Sequence, residues 1–175
     1  MKAVLISIQP KFVEKIANGE KTIEVRKTRP NIERPFKCYI YCTKGKPELP
    51  VERKINRELE DLCDGYEILY WANGKVIGEF VCDKIYAFPY RTNNCFSHYN
   101  TYIMENACLT LNETHAYGNG KTLYGWHITD LKIYDKPKEL SEFSRTVYLD
   151  YSCKIPQYTK PLKRPPQSWC YVEGL

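Results

Sequence analysis

No apolar run in this sequence approaches the ~20 residues that a helix needs to span a bilayer, so no membrane span is expected. None of its eight cysteines pairs into a Cys-x-x-Cys, and no His/Cys cluster carries zinc-site spacing. No metal site and no cofactor are therefore assigned. A phosphate-cradling glycine loop, a Gly-x-Ser-x-Gly elbow and a His-Glu-x-x-His helix are also missing, so none of the chemistries those motifs carry is supported. There is no internal repeat and no low-complexity stretch. The apolar start, Met1 to Ile8, is too short for a signal peptide and runs into Gln9-Pro10-Lys11 instead of a small-residue cleavage pattern. An intracellular, cytoplasmic protein is expected. In that setting Cys38, Cys42, Cys63, Cys82, Cys95, Cys108, Cys153 and Cys170 read as buried free thiols, because disulfide frameworks belong to small secreted chains.

What is present fits a globular chain. Its 175 residues suit one domain with a sizeable core, and 43% hydrophobic with 27% charged residues is ordinary. Fifteen tyrosines are more unusual; tyrosine suits both half-buried strands and flat ligands. The formal charge of +5 is unevenly spread. Lys11 to Lys54 holds twelve Lys/Arg against six Asp/Glu, and Lys132 to Arg164 holds eight against four. Basic ends around a near-neutral middle suit a polyanion, nucleic acid above all, although solubility alone would also account for the charge.

Along the chain, Val4 to Ile8 reads as a buried strand. Pro10 sits near the first turn of a helix whose apolar positions are Phe12, Val13, Ile16 and Ala17, with Asn18-Gly19 as its stop. A strand over 21–27 follows, then a loop around Arg29-Pro30 and Arg34-Pro35. Lys37 to Thr43 is a strand with Tyr39 and Tyr41 on one face and Cys38, Ile40 and Cys42 on the other. Residues 51–62 read as a charged helix, Asn73-Gly74 as a hairpin turn, and 75–88 as a long β segment in which Gly78 marks a bulge or bend. Helical segments are expected at 97–109 and within 110–120, a strand over 121–134, a turn of helix near 143, and a closing strand near Trp169 to Val172. Five or six strands with helices in the connections give an α+β fold on a small barrel. It forms one domain over 1–175, with insertions at 44–74 and 90–120.

The stretch Gly19 to Lys27 concentrates the chemistry. On a strand, Ile23 and Val25 face one way and Thr22, Glu24 and Arg26 the other. That polar row is either a solvated face with an ion pair of little consequence or the wall of a ligand cleft.

The pattern Gly19-x-Lys21-x-x-Glu24-x-Arg26, with the preceding Ile-x-Pro helix, resembles the signature of the ASCH domain family. The likeness continues through Val76 to Ile85 and Tyr124-Gly125-Trp126-His127-Ile128. It implies a PUA-like β-barrel with flanking helices and a cleft beside the motif that takes RNA or a nucleobase. Some members of that family hydrolyse the amide of N4-acetylcytidine with a lysine, a threonine and a glutamate, and others are linked to RNA cleavage. Lys21 matches the lysine, but Glu24 stands where those hydrolases carry threonine, with Thr22 two residues earlier. A carboxylate can act as general base on water or accept from an exocyclic amine; it cannot replace a hydroxyl nucleophile.

The resulting expectation is a cleft for RNA or a modified nucleoside. Lys11, Lys21, Arg26 and Lys27 would serve phosphate, and Glu24 with Ser168 or Gln167 a base edge. Tyr41, Tyr124, Trp126 and Trp169 are candidate stacking rings, with core packing as the other role open to each. Alternation sends Trp126 and His127 to opposite faces, so only one of them can reach the cleft. His98 and His115 receive no role. The alternative is an enzyme, a hydrolase of a modified nucleoside or a ribonuclease, with Lys21 and Glu24 catalytic. A third possibility is an adaptor that meets a protein partner through 44–74.

Overall fold

The computed structural model describes residues 2–55, 65–88, 98–150 and 155–175. The first strand, β1 (Lys2–Ile8), is the apolar run expected there and is buried from Ala3 onward. Helix α1 (Pro10–Ala17) follows, with Pro10 at its start and Val13 and Ile16 buried. Gly19, at φ +76°, turns the chain into β2 (Ile23–Arg26). Next come β3 (Phe36–Cys42), β4 (Pro50–Ile55), β5 (Gly65–Trp71), β6 (Val76–Cys82) and β7 (Ile85–Phe88). Helices α2 (His98–Asn106) and α3 (Leu111–Gly118) precede β8 (Leu123–His127) and β9 (Thr129–Lys138). A 3-10 turn at Leu140–Glu142 leads to β10 (Ser144–Asp150), β11 (Ile155–Pro161) and β12 (Trp169–Glu173).

The largest sheet has the order β12-β1-β3-β6-β9, with β1 and β3 parallel and the other pairs antiparallel. Its centre is buried on both faces, as near-continuous apolar strands require. Cys38, Ile40 and Cys42 pack with Val4, Ile6 and Ile8 beneath α1 and Trp126. Tyr39 and Tyr41 share the opposite face with Leu5, Phe143 and Leu162. The alternation expected for β3 holds. Burial raises the Cys38 thiol well above its usual range and pushes Cys42 and Cys82 up to about 12, so all three are inert packing groups.

A second sheet, β2-β8-β7, lies across this core. Gly78 permits close approach in the first sheet: a Cβ there would sit 2.5 Å from the Lys132 carbonyl oxygen, beside an irregular β6–β9 register.

Several expectations are corrected. Twelve strands appear among the described residues rather than five or six, in sheets that share no hydrogen-bonded strand, so a closed barrel is not formed among them. Residues 51–55, expected helical, belong to β4 and pair with β5, whose ladder satisfies the backbone and overrides helical composition; 56–62 lie outside the described residues. The Asn73-Gly74 turn is present, but its flanking strands enter different sheets. The Asn73 side chain instead ties down the preceding loop, accepting from the Leu49 amide and donating to the Gly45 and Pro47 carbonyls. Ser144–Asp150 and Ile155–Pro161, to which the sequence reading assigned no element, pair antiparallel as β10 and β11.

Candidate functional site

The α1–β2 connection builds the site. After Gly19 the chain passes under α2, and Lys21 becomes buried at 2% exposure. Its ammonium donates to the Ile23 carbonyl (2.9 Å) and to the Ala107 carbonyl (2.7 Å). Ala107 follows the last residue of α2, where unsatisfied carbonyls and the helix dipole favour a cation. Phe12 places its ring 5.1 Å from the same ammonium.

All four β2 residues are buried, but in different company. Ile23 and Val25 enter an apolar cluster with Phe88, Ile103 and Leu123. Glu24 lies opposite Trp126 in the register with β8 and shares its inward face. Arg26 Nη2 meets Glu24 Oε1 at 2.9 Å and donates to the Ser7 carbonyl at 2.6 Å, and Nη1 reaches Ser168 Oγ at 3.4 Å. Lys21 Nζ is 3.3 Å from Glu24 Oε2, close enough for charge pairing, yet the approach is not aligned as a hydrogen bond. Two buried cations flank one carboxylate. Glu24 Oε2 and Arg26 Nε have no hydrogen-bond partner.

These groups line a cleft of about 610 Å³. Ser7, Phe12 and Thr43 border it on one side, Leu109 and Tyr117 on another, and Gln167 and Ser168 close a third. Helix α3 presents Glu113, Ala116 and Tyr117 from one face, three and four residues apart. Its start is fixed by a capping box between Thr110 and Glu113. Lys11 on α1 and Glu113 on α3 pair at 3.7 Å, and both side chains are exposed.

No protein-family model matches this chain, and no curated protein does. Among solved structures it resembles the crystal structure of ASCH from Zymomonas mobilis, at 18% identity and a TM-score of 0.52 over 98% of this chain and 87% of that one. It also resembles two substituted forms of that protein. A serine-to-alanine form matches at 18% identity and TM-score 0.57, over 98% of this chain and 88% of that one. A tyrosine-to-phenylalanine form matches at 19% and 0.53, over 99% and 91%. The chain has an ASCH-like fold. At such identities the likeness speaks for the fold alone.

In this ASCH-like frame, six of the residues singled out from sequence line the cleft: Lys11, Lys21, Glu24, Arg26, Gln167 and Ser168. The stacking rings proposed from sequence stand elsewhere. Tyr41 is buried on the far side of the large sheet. Trp126 is fully buried, edge-on to Phe36 and Trp169, with its indole N–H unpartnered. Tyr124 packs against the core and carries the Arg29 guanidinium 5.6 Å from its ring. Trp169 donates to Thr28 Oγ1 at 3.0 Å. His127 pairs through Nδ1 with Asp83 at 2.7 Å, outside the cleft. Burial pushes the Asp83 carboxyl up, but the hydrogen bond and charge of His127 together with backbone hydrogen bonds outweigh it, and the net shift is downward. Lys27 is exposed, 4.9 Å from the Tyr117 ring. Thr22 Oγ1 donates to Asn106 and does not line the cleft.

The cleft's own rings are Phe12 and Tyr117, which sequence reasoning assigned to helix packing and to an elaboration. A signal existed for Phe12: an apolar residue beside exposed Lys11 at the edge of the α1 stripe. For Tyr117 there was none, because its place depends on how α3 docks.

Proposed function

We propose that the cleft binds the base of a nucleoside or of an RNA nucleotide. The observation that carries this reading is Glu24, which lines a cleft of ligand size and has a buried carboxylate oxygen, Oε2, without a hydrogen-bond partner. It suits an exocyclic amine or amide N–H. Arg26 Nε, equally unpartnered, suits an adjacent acceptor. Phe12 and Tyr117 supply ring faces, and stacking contributes ~1–3 kcal/mol per base. Arg26 Nη2 is occupied by Glu24 and Ser7, so Arg26 serves the base edge better than it would clamp phosphate.

Calorimetric titration with cytidine, N4-acetylcytidine and uridine tests the proposal. The first two offer a donor at the N4 position and should bind; uridine, with an acceptor there, should bind at least about tenfold more weakly. Equal binding of all three, or binding unaffected by Glu24→Gln in a folded variant, overturns the assignment.

A hydrolytic second reading rests on the buried Lys21–Glu24 pair. Glu24 would take a proton from water as the water oxygen attacks the acetyl carbonyl of N4-acetylcytidine. The C–N bond then breaks and the amine leaves with a proton, giving cytidine and acetate. Release of acetate by the wild type and not by Glu24→Gln would establish it.

A further inference from the structure

Glu24 lines the cleft, but its Oε2 is shut off from solvent, and Lys21 and Arg26 beside it are only 2% and 7% exposed. A ligand can touch Oε2 only if a wall of the cleft moves. Most of the walls are tied down. β1 and β2 are paired within sheets. Helix α1 rests on Val13 and Ile16, both fully buried. Ser7 donates through its amide to the Ser168 carbonyl at 2.9 Å and through Oγ to the Pro166 carbonyl at 2.7 Å. The Thr43 amide donates to the Ile8 carbonyl at 2.9 Å. Leu109 belongs to the end of α2, its amide donating to the Met104 carbonyl at 3.0 Å. Thr22 laces α2 in turn to the start of β2: its amide donates to the Asn106 carbonyl and its hydroxyl to Asn106 Oδ1, both at 2.9 Å.

Helix α3 is held differently. Of its eight residues only Thr114 and Gly118 are buried. Glu113, Ala116 and Tyr117 line the cleft and are nonetheless exposed. The amides of Thr114, Asn119 and Lys121 donate to the carbonyls of Thr110, His115 and Gly118, bonds that stay within the unit. The helix joins the rest of the chain at Thr110, an extended residue between α2 and α3, and at Asn119 and Gly120, both left-handed at φ +46° and +76°. Hinges form at element ends of this kind. On its cleft face, Glu113 Oε1 meets Lys11 of the opposite wall at 3.7 Å, and the Lys27 ammonium lies 4.9 Å from the Tyr117 ring. All four side chains are exposed, where such attractions are weak and screened by salt.

We propose that α3 is a lid on the cleft. It swings as one unit about Thr110 and Asn119–Gly120, opens when Lys11 and Glu113 part, and closes with Ala116 and Tyr117 against the ligand. Glu113 serves both positions. Its Oε2 accepts from the Thr110 amide and hydroxyl at 2.9 Å, so the helix keeps its cap when Oε1 leaves Lys11. What the lid admits rests on the base-binding reading above; the hinge and the latch rest on the packing of α3.

Relaxation dispersion of the backbone amides, which reports motion on the microsecond-to-millisecond scale, tests the lid on the free protein. The amides of α3 should share one exchange process that is absent from α1 and α2. Lys11→Met should raise the open population about threefold, the share of one exposed pair. High salt should do the same to wild type and add nothing to the variant. Flat profiles over α3, one process spread equally over α1 and α2, or an open population unmoved by Lys11→Met overturns the lid. Saturating cytidine should then quench the exchange, and cytidine that binds but leaves it unchanged also overturns the lid. If cytidine does not bind, the base-binding reading falls, while the lid stands or falls on the exchange measured in the free protein.

Discussion

Glu79 and Glu24 are each set between a lysine and a second donor, and they are built differently. Glu79 on β6 accepts from Lys37 at 3.0 Å on one oxygen and from the Tyr134 hydroxyl at 2.7 Å on the other. Both oxygens have partners, and the group spans β3, β6 and β9 of one sheet. Burial pushes the Glu79 carboxyl up, but the bonds from Tyr134 and Lys37 outweigh it and the net shift is downward. Glu24 is more buried, yet one oxygen lacks a hydrogen bond, and it faces a cleft. A satisfied carboxylate holds strands together. An incompletely satisfied one, kept out of bulk water, carries a desolvation cost that a ligand could recover.

Four experiments would break or sharpen that contrast. The largest effect is expected from Lys21→Met, which leaves Glu24 beside Arg26 alone and strips the Ile23 and Ala107 carbonyls of their donor. Breaking a buried ion pair typically costs ~3–5 kcal/mol, so urea denaturation should show a loss of that order. A loss below ~1 kcal/mol would mean that Lys21 is not integral to the fold.

Glu24→Gln keeps the shape and one acceptor. Ligand affinity should fall at least about tenfold, from a charged to a neutral acceptor, while the folded spectrum persists. Full affinity would make Glu24 a strand-edge group like Glu79.

Gly78→Ala places a Cβ against the Lys132 backbone and disturbs the β6–β9 approach next to Glu79. Overpacking of this kind costs ~1–3 kcal/mol, and binding in the cleft should be unaffected. A variant as stable as wild type would show that β9 can give way.

The smallest effect is expected from Glu79→Gln. The folded carboxyl titrates below its ordinary value of 4.5, so its contribution is present above that pH and is lost as pH falls through the folded value. Wild-type stability should therefore fall more steeply than the variant's below about pH 4.5, by ~1 kcal/mol. Parallel pH curves would remove Glu79 from the pairing described.

Much of the frame could be read from the residues. Val4 to Ile8 is apolar at every position but one and forms a central strand; α1 announces itself by Pro10, Val13 and Ile16; Cys38 to Cys42 alternates as its faces require. The misreadings share a cause. Residues 51–55 form a strand instead of a helix, and Ser144–Asp150 pairs with Ile155–Pro161, because partner strands are available, and composition does not encode the partner. The aromatic candidates failed for a related reason. Alternation assigns Trp126 and Tyr41 to a face but does not say whether that face meets core or cleft.

From the sequence it follows that Glu24 and Arg26 share one strand face opposite Ile23 and Val25, because strand geometry fixes side-chain direction over a few residues. Tertiary structure alone decided that this polar face is buried, that α2 ends on Lys21 through the Ala107 carbonyl, that Tyr117 joins the wall, and that the 162–168 segment closes it. Those outcomes depend on which distant backbone groups satisfy each charge, and contacts across 86 or 142 residues leave no periodic trace in the chain.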